Sequence, residues 1–181
     1  MKIIPIFGKN LFAIQHTGET QDEFAKMFEL WQDPEFLEEF FEKHKIDLIN
    51  NYWGDWTIEE AIIETFEYAQ DFENKLLELS RQSEENQLKG LDEIFKPLSD
   101  TPTPIFQFEK SKARVNWLRL YAIKIENNIY VITGGAIKLT KTMQERHHTN
   151  EELEKIEKGR RYLIDEGIVD VDGLIEVIEN Q

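Results

Sequence analysis

Two short apolar-rich runs, Lys2 to Phe7 and Leu11 to His16, flank Gly8, Lys9 and Asn10. That pattern predicts a β-hairpin with a Gly/Asn turn. Thr20 to Glu23 has the spacing of a capping box and predicts a helix carrying Phe24, Met27, Phe28 and Trp31. Asp33 and Pro34 restart a second helix as cap and first residue, with Phe36, Leu37, Phe40 and Phe41 inward. After an aromatic loop near Asn50 to Trp56, Thr57 to Glu60 repeats the capping box. A stripe follows at helical spacing to about Arg81: Ile58, Ala61, Ile62, Phe66, Ala69, Phe72, Leu76 and Leu79. Ser80 to Lys89 is polar and reads as frayed helix or loop, and Pro97, Pro102 and Pro104 mark a connector.

The second part of the chain has strand periodicity. Ile105 to Phe108 predicts a short strand, Trp117 to Ile125 a stronger one, and Ile129 to Thr133 its partner. Asn127 and Asn128 between them suit a type I′ turn. Gly134 and Gly135 permit a bulge. Thr149 to Glu152 has the capping-box spacing again and predicts a helix with Leu153, Ile156 and Leu163 inward, stopping near Gly167. A short amphipathic end, Leu174 to Ile178, packs back. The expected class is α+β in one domain of 181 residues: a small antiparallel sheet with several packed helices. Residues 1–104 supply a hairpin and acidic helices, and residues 105–181 the sheet and the C-terminal helix.

Charge sharpens the division. The formal net charge is −15, yet it is unevenly spread. Residues 1–104 carry nine Lys and Arg against 23 Asp and Glu, whereas residues 105–149 carry eight against three, plus His147 and His148. Residues 150–181 return to four against ten. The chain has no cysteine, which excludes a disulfide framework, thiolate metal sites and a Cys nucleophile. No apolar run approaches the ~20 residues of a membrane span, and the N-terminus lacks the long apolar core of a signal peptide. The expectation is a cytoplasmic protein that keeps its first residue.

The basic island is therefore the candidate site. Arg119 and Tyr121 share one face of their strand, and Lys138, Thr140, Lys141 and Thr142 lie just past the end of the partner strand. An arginine, lysines and hydroxyls suit phosphate recognition. Lys112, Arg114 and Arg146 extend the basic surface. RNA cleavage by the substrate's own 2′-OH needs little beyond charge stabilisation and proton transfer, which Lys141, Tyr121, His147 or His148 can supply. The island holds no histidine cluster or carboxylate pair to bind two metal ions. Structural roles compete with each assignment. Arg119 also suits an ion pair with the acidic half, Tyr121 core packing, the lysines a solvated loop, and the histidines a solvated turn. Arg160 and Arg161 balance nearby glutamates, and Trp53 and Trp56 suit the edge of a core.

In order, Leu118-Arg-Leu-Tyr121, the return strand Ile129 to Thr133, Gly135-Ala-Ile-Lys-Leu-Thr-Lys-Thr142 and a helix containing Lys158-Gly-Arg-Arg161 resemble RelE/HigB-type toxins of type II toxin–antitoxin systems over residues 114–165. Lys138 and Thr140 match the family pattern directly. Leu139 replaces a second lysine, Ala136 a common aromatic, and Lys141 is one residue out of register. The resemblance implies a small metal-independent endoribonuclease acting on mRNA, usually on the ribosome, and neutralised by an antitoxin protein. It implies no cofactor and no membrane. Arg119 and Lys138 are its best carried-over site residues, with Lys141, Tyr121 and His148 as further catalytic candidates. Lys112, Arg114, Thr140, Thr142 and Arg146 are the RNA-binding candidates. Two alternatives stand beside it: a non-catalytic toxin-derived binding protein of a mobile element or defence system, and a helical interaction module with an incidental hairpin.

Overall fold

A computed structural model describes residues 1–49, 53–84, 90–97, 107–111, 117–140 and 147–181. The elements are β1 (Lys2–Phe7), β2 (Leu11–Gln15), α1 (Glu23–Trp31), α2 (Pro34–Lys43), α3 (Lys45–Ile49), α4 (Ile58–Glu84), a 3-10 turn (Leu91–Glu93), β3 (Phe95–Pro97), β4 (Gln107–Ser111), β5 (Leu118–Glu126), β6 (Ile129–Ile137), α5 (His147–Asp165) and α6 (Val171–Glu179). The fold is α+β. Among the described residues none of the helices is long and apolar enough to cross a membrane.

The strands join in the order β1-β2-β6-β5-β4-β3. The sheet is mixed, not antiparallel throughout as expected. β2 runs parallel to β6, with Leu11 opposite Tyr130 and Ala13 opposite Ile132. The N-terminal hairpin thus extends the same sheet as the basic segment. The parallel pairing brings together residues more than a hundred positions apart, so local periodicity carried no sign of it.

Alternation along the strands feeds two apolar layers. Leu11, Ala13, Leu118, Leu120, Ala122, Tyr130 and Ile132 face α1, α2 and α4 through Phe28, Trp31, Phe41, Phe72 and Leu76. On the other side Phe12, Ile14, Ile123 and Val131 meet Leu163 of α5 and Leu174 of α6. Tyr121 and Ala136 meet Ile156 there. α5 ends in a Schellman motif: Ile168 N donates to Leu163 O at 2.9 Å, and Gly167 has φ 72°.

The turn between β5 and β6 differs from the predicted type I′. Only Asn128 has positive φ, 60°, and the register shifts between Lys124 and Glu126. Type I′ needs positive φ at both central residues. Long-range bonds fix the bulged form instead. Asn128 N donates to Asp92 Oδ1 at 3.0 Å, and Asp92 N donates to Asn128 Oδ1 at 2.9 Å.

The three predicted capping boxes also diverge. Among the described side chains only Thr57 and Glu60 form one: Thr57 N donates to Glu60 Oε2 at 2.9 Å and Glu60 N donates to Thr57 Oγ1 at 3.2 Å. α1 is capped by Asp22, whose Oδ1 accepts from Phe24 N and Ala25 N, and not by Thr20. α5 begins at His147, two residues before Thr149. Glu23 and Glu152 are freed from capping and turn inward. Trp53 and Trp56 set their rings edge-on against buried Trp117, so they cover the edge of the core. Arg160 and Arg161 both pair with Glu157, at 2.8 and 3.0 Å.

Candidate functional site

Register places the cations. Arg119 stands opposite Ala136 in the β5–β6 ladder, and Lys138 N continues the ladder by donating to Trp117 O at 2.8 Å. Lys138 is therefore the diagonal neighbour of Arg119 on the same face, about 7–8 Å away between Cα atoms. His148, in the first turn of α5, reaches the same end of the hairpin. Its Nε2 lies 3.0 Å from the carbonyl of Ile137. The backbone thus gathers Arg119, Lys138 and His148, three of the five expected catalytic residues, at one end of β5–β6.

The side chains do not all open toward a ligand. Arg119 is only 7% exposed. Its Nη1 donates to Leu118 O at 2.6 Å, and its guanidinium lies 5.9 Å from the centroid of the Trp53 ring. Tyr121 is 1% exposed, enclosed by Ala136 and Ile156. Burial raises its hydroxyl far above the ordinary range despite the nearby Arg119 charge. This ring packs as core, because the inward phase of β5 points it under α5. Lys138 and Thr140 are partly exposed. Lys112, Arg114, Lys141, Thr142 and Arg146 lie outside the described residues, so the expected convergence rests on Arg119 and Lys138. His147 is exposed and pairs with Glu151 at 3.3 Å.

His148 opens onto a cleft of about 350 Å³ between α1, α2, β6 and α5. Phe40, His44, Trp31, Lys26, Lys43 and Glu152 contribute to its walls. The His148 ring stands edge-on to Phe40 and to His44, at 5.3 and 4.8 Å between centroids. His44 Nδ1 lies 3.7 Å from the carboxylate of buried Asp47. Burial lowers the His44 pKa, the charge on His148 lowers it further, and Asp47 opposes both.

Below the cleft lies a charged cluster. Lys155 Nζ bridges Glu152 Oε1 at 2.8 Å and Glu23 Oε2 at 3.1 Å. Lys26 reaches Glu23 at 3.4 Å and Glu19 at 2.9 Å, and His16 Nε2 lies 3.5 Å from Glu23. Glu152 is 5% exposed, and its Oε2 has no hydrogen-bond partner among the described residues. Burial pushes its pKa up to about 7, against the pull of Lys155 and with the support of Glu23. Gly134, at φ 155°, makes room for it, because a Cβ there would collide with Glu152 Oε2.

Reasoning from the basic island missed His44, Glu23, Glu152 and Lys155. One signal was available for the glutamates. Glu152, Ile156, Gly159 and Leu163 fall on one helical stripe, as do Glu23, Met27 and Trp31. His44 carried no comparable signal. No family model, curated protein or solved structure matches this chain.

Proposed function

We propose that this chain is a toxin-like endoribonuclease of the RelE/HigB kind, cutting mRNA on or off the ribosome without a metal ion and held in check by a cognate antitoxin. The observation that carries the reading is the meeting of Arg119, Lys138 and His148 at one end of β5–β6, through the 119–136 pairing and the contact of His148 with Ile137 O. The order hairpin, lysine-bearing strand end, helix is the one the resemblance implies. In this reading the 2′-OH of RNA attacks the adjacent phosphorus, and the 5′ oxygen leaves. Lys138 stabilises charge on the phosphorane, Arg119 supports it from behind, and His148 moves a proton.

The test is cleavage of an mRNA with EDTA present, with and without ribosomes, followed by end-group analysis. Fragments should end in 2′,3′-cyclic phosphate. Lys138→Ala should lower the rate by ~10²–10³, the usual cost of one preorganised charge. Activity lost to the chelator, or intact in an R119A/K138A double variant, would overturn the site.

A second reading, a toxin-derived binding protein without catalysis, is favoured by the burial of Arg119 and Tyr121. It predicts RNA or antitoxin binding with no cleavage under either condition. RNA binding in that case weakens steeply with salt, because phosphate contacts release counterions.

A further inference from the structure

We propose that His44, from the acidic N-terminal half, is the second proton-transfer group of this site, working beside His148 on the wall of the cleft, with Asp47 as its positioning residue. The inference rests on the ribonuclease reading and adds a residue that the basic island does not contain.

Three observations carry it. Both rings line the same cleft, with centroids 4.8 Å apart. Each ring is oriented through one nitrogen: His44 Nδ1 toward Asp47 at 3.7 Å, and His148 Nε2 toward Ile137 O at 3.0 Å. Among the described residues nothing takes the other nitrogen of either ring, so His44 Nε2 and His148 Nδ1 remain to serve a ligand. A histidine held by a carboxylate on its far side is the arrangement that fixes tautomer and direction in proton transfer. Lys43 stands at the same cleft and suits a phosphodiester.

Cleavage of a phosphodiester needs one base and one acid. Neutral His44 takes the proton of the 2′-OH as O2′ bonds to phosphorus. Protonated His148 gives its proton to O5′ as the P–O5′ bond breaks. The products are a 2′,3′-cyclic phosphate and a 5′-OH, with no net proton released. The groups that act on the His44 charge are His148, Asp47 and Lys43, and Glu39, Glu151 and Lys26 face the same cleft. Burial and the neighbouring His148 keep His44 neutral, which assigns it the base.

The experiment has two arms on the full chain. In the first, cleavage of an RNA oligonucleotide is followed against pH. The wild type should give a bell, and His44→Gln should lower kcat by ~10²–10⁴, as for loss of a general base. It should also remove the acid limb, while Asp47→Asn moves that limb to lower pH. In the second, the histidine ring resonances are followed by NMR as an uncleavable 2′-deoxy dinucleotide is added. His44 and His148 should shift together. A cleaving wild type whose His44→Gln variant keeps its rate and acid limb, or whose His44 signal stays still, overturns the role of His44. A wild type that binds the dinucleotide through both histidines but cuts nothing overturns the ribonuclease reading and leaves the cleft as a binding site. Unmoved histidines without cleavage overturn both.

Discussion

The start of α4 and the start of α5 share one sequence pattern, Thr followed three residues later by Glu, and they use it in opposite ways. At α4 the glutamate stays on the surface and closes a reciprocal cap with Thr57. At α5 the helix begins earlier, and the glutamate rotates onto the face that packs on the sheet. There Glu152 loses water, gains Lys155 and Glu23, and its pKa climbs to about 7. The difference lies in helical phase. Glu60 precedes the stripe of Ala61, Thr65 and Ala69, whereas Glu152 belongs to the stripe of Ile156 and Leu163. In this chain the reciprocal cap closes where the acidic residue is out of phase with the apolar face.

The largest test of that contrast removes the shared cation. Lys155→Met should destabilise the fold by ~3–5 kcal/mol in urea unfolding, because it leaves buried Glu152 without its cation and Glu23 with only Lys26 and His16. A loss well below 1 kcal/mol would mean that water reaches the cluster.

Protonation gives a smaller effect with a definite sign. Glu152 has a folded pKa near 7, above the ordinary 4.5. Its folded form therefore binds a proton more tightly than the unfolded chain. The resulting stability is present below about pH 4.5 and is lost as pH rises toward 7. Relative to Glu152→Gln, the wild type should lose on the order of 2–3 kcal/mol between pH 5 and 8. Parallel stability curves for the two proteins would place Glu152 in solvent.

The smallest expected effect is at the surface box. Thr57→Ala should cost ~1 kcal/mol, as for loss of an ordinary N-cap. Thr20→Ala, by contrast, should leave the thermal midpoint nearly unchanged, since Asp22 caps α1. Equal losses at the two threonines would erase the distinction.

These cases mark what the sequence can and cannot convey. The apolar strand run of β5 was legible from its composition, and the periods of 3.6 in α4 and α5 because each reports which helix face is dry. So were Asp33 with Pro34 at the start of α2 and the stop of α5 near Gly167, because they depend on neighbours within a few residues. The parallel join of β2 to β6 was not, since it depends on distant segments. The bulge at Asn128 was not, because Asp92 imposes it from another element. For the candidate site, Arg119, Lys138 and His148 were legible as residue types near one another in the chain. Their depth was not, and Tyr121 shows it: a residue beside a basic pair on a strand turned out to lie under a helix.

The pairing of β2 with β6 also has a consequence in time. It joins residues 11–13 to residues 130–132, near the middle of the sheet. Contacts of such long sequence separation slow folding, because the loop between them must close before they contribute. A ribosome that has made the first hundred residues has made β1, β2 and four helices, but no partner for the open edge of β2. Until β6 emerges, that apolar edge, Leu11-Phe12-Ala13-Ile14, is exposed to pairing with another chain. Protein made faster than it folds should therefore aggregate through its N-terminal hairpin.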